Sequence, residues 1–125
     1  MKMEYKDKLP NNCPPKDAQE PNNFTIFRMV KTIPPTDIDF VSHFKLFPDK
    51  NYENMKCEAL SVSVFNRFES CKELLDIPNH RGKKIVKLNL FQDSGRVIKS
   101  SKDKSHYSWW IYANFSPLAN YEEIT

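Results

Sequence analysis

The sequence predicts an α+β fold: one domain with a curved, mixed or antiparallel sheet of about five strands, a pair of short helices and an extended N-terminal arm. Three observations carry this. "EALSVSVF" (58–65) alternates strictly, with Leu60, Val62 and Val64 on one face and Ser61, Ser63 and Phe65 on the other. "RFESCKELLDI" (67–77) places Phe68, Cys71, Leu74 and Leu75 on one helical stripe. The segments run β, α, β, α, β, β, β, with no repeat or low-complexity tract.

Each element has its own reason. Residues 1–22 hold four of the nine prolines, and proline fixes φ and removes a donor, so they read as an arm preceding a domain over 23–125. "NFTIFRMVKTI" (23–33) is apolar on both faces, as an inner strand is, with Phe24, Ile26 and Arg28 sharing one side. In "TDIDFVSHF" (36–44), Thr36 and Asp39 form a capping-box-like start to a helix that turns Phe40 and Phe44 inward. "PDKNYENMK" (48–56) reads as a polar surface loop. Asn66 is placed to cap the helix that Pro78 ends. "KKIVKLNLF" (83–91) alternates Val86, Leu88 and Leu90 against Lys87 and Asn89; "QDSG" is a turn, and "RVIKS" the hairpin partner. "SHYSWWIYANF" (105–115) supplies the last strand, and "YEEIT" closes the chain.

Composition excludes several classes. The hydrophobic share of 39% and the absence of a long apolar window describe a soluble protein without a membrane span. "MKMEYKDKLPNNCPP" lacks the apolar stretch of a secretory signal, so the cytoplasm is the expected compartment. There Cys13, Cys57 and Cys71 are expected as reduced thiols, and the sequons at Asn23 and Asn114 have no role. A net charge of +3, carried by fifteen lysines and four arginines, is mild for a dedicated nucleic-acid binder. The only two glycines, Gly82 and Gly95, do not make a phosphate loop, and His43, His80 and His106 lack zinc-site spacing, so neither cofactor nor metal is expected.

The aromatic strand offers the richest surface chemistry. His106, Ser108, Trp110 and Tyr112 alternate with Tyr107, Trp109 and Ile111, so one face packs the core and the other lies under a helix or at a contact. Tyr107, Trp109, Trp110 and Tyr112 are therefore the candidate partner-binding residues. His106 sits where a loop enters a strand, a place suited to acid–base work near neutral pH. Two basic loops, with Arg81, Lys83 and Lys84 in one and Lys99, Lys102 and Lys104 in the other, are candidates for a polyanion; Lys99, Lys102 and Lys104 with Trp109 would serve a nucleic-acid accessory role.

Two resemblances add to this. "LPNNCPPKDA", "FRMV", "PPTDIDFVSH", "LSVSVF" and "HYSWW", in that order, resemble a set of small uncharacterised bacterial proteins, which implies a bacterial, intracellular, stand-alone domain. Arg28 and Ser61-Val62-Ser63 are similar to two of the three parts of arginine–serine–glutamate ADP-ribosyltransferases. The likeness implies an arginine on NAD phosphates and a serine pair shaping the nicotinamide pocket. The third part, a strand-borne glutamate-x-glutamate, has no counterpart beyond Glu122 and Glu123 near the C-terminus.

With no complete reaction centre legible, the expected function is that of a non-catalytic partner-binding protein. An immunity, adaptor or accessory subunit of a bacterial conflict or defence system, of the toxin–antitoxin kind, would suit this size. The alternatives are an NAD-handling enzyme using Arg28, Ser61, Ser63 and His106, and the nucleic-acid accessory role.

Overall fold

The structure, a computed structural model, describes residues 3–100 and 105–124. Six antiparallel strands form one sheet in the order β4-β5-β2-β1-β3-β6. They are β1 (Phe24–Val30), β2 (Val62–Phe65), β3 (Lys84–Leu90), β4 (Gly95–Lys99), β5 (His106–Ile111) and β6 (Tyr121–Glu123). Among the described residues three short helices accompany them: α1 (His43–Leu46), α2 (Lys56–Ala59) and α3 (Phe68–Leu74). The α+β class and the inner position of β1 follow the sequence reading. β6 is a strand beyond it, and it makes Glu122 and Glu123 strand-borne after all.

The sheet must curl. Only residues 91–94 join β3 to β4, which lie four strand positions apart and run in the same sense. Laid flat, those positions span about 19 Å, and the linker reaches about 18 Å fully stretched. Twist of about 20–25° per step sums to roughly a right angle between the sheet's two ends. The chain therefore turns a corner at 91–94, and the expected hairpin does not form: β4 pairs with β5. The local turn chemistry is nonetheless as expected, with Ser94 N–H donating to Phe91 O and Gly95 at φ 137°. A Cβ on Gly95 would sit 2.1 Å from Trp110 O. The turn residues are right for a bend and say nothing about which strand lies beyond it.

The inner face of the curl is the core. Ile26, Val30, Val62, Val64, Val86, Leu88, Leu90, Trp109 and Ile111 meet there, joined by Phe40. The other face of β5 is covered by α2 and the N-terminal arm.

Three local expectations change. The helix over 36–44 breaks at Val41, whose backbone is extended. Asp39 accepts from Thr36 N and from Lys31 N, both at 2.9 Å, closing one 3-10 turn over Asp37–Phe40, and Ser42 Oγ then caps α1 by accepting from Lys45 N. Residues 53–59, read as loop and strand, wind into a 3-10 turn and α2 before β2 begins. Asn66 is not the cap of α3; that position is Arg67, without a side-chain bond.

The arm is a strap fixed to the domain. At its start, Lys6 N donates to Ile111 O and Ala113 N to Glu4 O. At its end, Gln19 and Val97 exchange both backbone bonds, Arg96 reaches Ala18 O, and Tyr112 OH donates to Glu20 at 2.6 Å. Between these anchors Cys13 is bonded to Cys57 of α2, contrary to the expectation of free thiols. Linking residues 44 apart removes about 4 kcal/mol of chain freedom from the unfolded state by the loop-entropy account.

Candidate functional site

Arg28 occupies a break in the sheet. β1 pairs with β3 along all seven of its residues, but with β2 only at Phe27↔Phe65. Where the β1–β2 ladder stops, the Arg28 side chain stands in. Its Nε donates to Asp39 O at 2.6 Å, its Nη1 donates to Ser63 O, and its plane lies 5.9 Å from the Phe40 ring centre. Burial lowers its pKa to about 10, opposed by Asp39, so it stays cationic at neutral pH. Both hydrogen-bond partners are backbone carbonyls, and carbonyls orient a guanidinium without neutralising it. Nearby, burial pushes the Cys71 thiol up to about 12 against the pull of Arg28, which leaves it without thiolate.

A cleft of about 410 Å³ opens over the same end of β2. Ser61 and Ser63 line it, together with Glu58, His43, Lys50 and Tyr52. Ser61 is buried and donates to Glu58 O at 2.7 Å, whereas Ser63 is exposed. Tyr52 OH lies 2.7 Å from Phe47 O and 3.3 Å from His43 O, and so fixes α1 to the following loop. The His43 ring packs on Phe47 and Tyr52, and Lys56 lies over Phe44. A second hollow of about 500 Å³ shares His43 and Lys50 and adds Leu46, Phe47 and Pro48. Leu46, Phe47 and Met55 are 43%, 55% and 47% exposed; the first two line the second hollow and Met55 lines the cleft.

The other sequence candidates lie elsewhere. Arg28 and His106 do not line the cleft that holds Ser61 and Ser63. His106 packs against Phe65, and its carbonyl accepts from Ser100 N. Glu122 and Glu123 lie on β6, three strand positions from β2. Trp109, Trp110 and Tyr112 are interior, which removes them as contact or base-stacking residues. Their polar atoms bond inside the fold, Trp109 Nε1 to Ser94 O and Trp110 Nε1 to Cys57 O. Both indoles border a void of about 40 Å³ beneath the strap, and Trp110 also lines a hollow of about 260 Å³ beside α2. Tyr107 alone of that set is partly exposed, lining a groove with Lys99, Asp17 and Glu20.

Among the described residues, no pocket brings the two basic loops together. Lys84 and Lys99 end the two strands that leave the 91–94 corner, and the acids of the strap face Lys99. Arg81 is exposed and Lys83 bonds His80 Nδ1 at 2.9 Å; Lys102 and Lys104 lie outside the described residues.

Sequence reasoning missed His43, Phe47, Tyr52 and Met55. The available signal was the run of Phe44, Phe47, Tyr52 and Met55 inside a segment otherwise polar enough to pass for a loop. Among the described residues no helix is long and apolar enough to cross a membrane, and no three His, Cys, Asp or Glu side chains gather as a metal group. No protein family, curated protein or solved structure matches the chain.

Proposed function

We propose that the protein is a non-catalytic, cytoplasmic partner-binding domain, an immunity, adaptor or accessory subunit of a bacterial conflict or defence system, and that it binds through the surface of α1 and the turn before α2. One observation carries this: Leu46, Phe47 and Met55 are exposed beside two hollows that share His43 and Lys50. Single exposed apolar residues are ordinary, but apolar residues gathered around two hollows that share polar lining residues mark a contact surface. Lys45, Lys50 and Lys56 are balanced there by Asp49, Glu53 and Glu58, which favours a protein partner over a polyanion. The partner expected is a chain with an apolar or aromatic projection. The test is isothermal titration against the product of an adjacent gene. Phe47→Glu and Met55→Glu should abolish binding while the thermal midpoint holds, and undiminished affinity in both variants would refute the proposal.

A second reading rests on a separate observation: Arg28 on β1 reaches the backbone of Ser63 on the neighbouring strand, and a carboxylate-bearing residue, Glu58, shares the cleft of the serine pair. That juxtaposition supports an NAD-handling, ADP-ribosyltransferase-like site. Millimolar NAD should then raise the melting temperature, and a flat melting curve across NAD concentrations would eliminate it.

A further inference from the structure

We propose that Cys13–Cys57 is a redox-operated latch that sets the rigidity of the α2 wall of the contact surface; its effect on binding rests on the partner-binding reading, its effect on structure does not. A cytosolic disulfide, where one exists, is more often transient and responsive than structural. The strap is built so that opening this bond need not unfold the domain. Its two ends are fastened to Ile111–Ala113 and to Arg96–Val97, with Glu20 held by Tyr112, by hydrogen bonds that do not involve sulfur. Among the described residues, the backbone bonds of its middle close on itself, through Cys13 N to Pro10 O and Ala18 N to Pro15 O. Cys13 is the covalent tie between that middle and α2.

On the other side, α2 is four residues long, too short to hold its own helical form in water. Its supports include the disulfide, the bond from Trp110 Nε1 to Cys57 O, the contact of Lys56 with Phe44, and the turn that Leu60 and Ser61 close on it. Met55 and Glu58 border hollows on both sides of this helix: the one holding Ser61 and Ser63, and another of about 260 Å³ lined by Pro15, Ser100, Ser108 and Trp110. Loosening α2 therefore changes both walls together.

The chemistry is balanced by a dithiol reductant. The Sγ–Sγ bond takes up two electrons and two protons to give the Cys13 and Cys57 thiols, and the reductant closes to its own disulfide. The buried Cys71 takes no part, being unionised.

The test uses the whole protein in buffers set to cytosolic dithiol potential and to an oxidising one. Alkylation counted by mass spectrometry reports the bond, and amide hydrogen exchange reports the structure. The expected result is two newly alkylated cysteines under the reducing buffer, loss of protection confined to 50–61 and 7–17, and unchanged protection in β1 and β3. Cys13→Ser should give the same exchange pattern under oxidising conditions. A bond that stays closed at that potential, a bond that opens without change at 50–61, or protection lost across the whole sheet would each overturn the proposal. Failure of partner binding alone, with this pattern intact, would count against the partner reading and leave the latch standing.

Discussion

The two flanks of β1 are held by different means. Toward β3 the strand makes a continuous ladder, Phe24↔Leu90 through Val30↔Lys84. Toward β2 it makes a single ladder pair, and the Arg28 guanidinium adds one bond to Ser63 O of that strand and one to Asp39 O of the 3-10 turn. A ladder spreads its hold over many equivalent backbone bonds, so no one side chain decides it. A seam closed by one side chain concentrates that hold, and sets a cationic guanidinium, supported by Asp39, next to the strand that carries Ser63.

This contrast can be broken in order of expected effect. Arg28→Ala strands the part-buried carbonyl of Asp39, at about 1–3 kcal/mol, and removes a charge-assisted bond to the exposed carbonyl of Ser63, so urea denaturation should register a loss of about 2–4 kcal/mol. Hydrogen exchange should rise in 61–65 before it rises in 84–90; a uniform rise would mean that the seam is not separately held. Gly95→Ala forces a Cβ onto Trp110 O at a φ of 137°, and should cost about 2–3 kcal/mol in the same assay through overpacking and strain.

The alkaline limb sharpens the seam further. Cys71 keeps its proton to about pH 12 in the folded chain but loses it near 9 when unfolded. Its contribution is therefore complete below pH 9 and falls by about 1.4 kcal/mol per unit above it. Tyr112, raised to about 12, acts with the same sign from pH 10 upward. Arg28, lowered to about 10, acts with the opposite sign above that pH, since the unfolded chain then holds the extra proton. Denaturation midpoints at pH 8, 9 and 10 should thus decline in the wild type and hold nearly level in Cys71→Ala. The smallest effect belongs to the ladder side: Glu122→Gln removes an exposed bond to Lys87 and should change stability by about 0.2–1 kcal/mol.

Much of the fold was legible where one residue's surroundings are local. Period-two alternation gave β2 and β3, and the apolar stripe with Cys71 gave α3. Pairing was harder, because "QDSG" encodes a bend and the partner of β4 is chosen by the curl of the sheet, where Gly95 leaves no room for a Cβ beside Trp110 O. The 36–44 helix failed because Asp39 spends its carboxylate on Thr36 and Lys31, which satisfies one turn and stops there. The disulfide was illegible since Cys13 and Cys57 meet only when the strap is laid down. Of the candidate site, Arg28, Ser61 and Ser63 were visible as residue types on strands. Their companions His43, Tyr52 and Glu58 come from a segment whose polarity concealed its turns.

The paired bonds between Gln19 and Val97 have a consequence for solubility. They occupy hydrogen-bonding groups on the outer rim of β4, the side from which another chain could otherwise extend the sheet. A chain shortened from its amino end past Gln19 would bare that rim, and its foreseeable failure is strand-to-strand association between copies rather than simple melting.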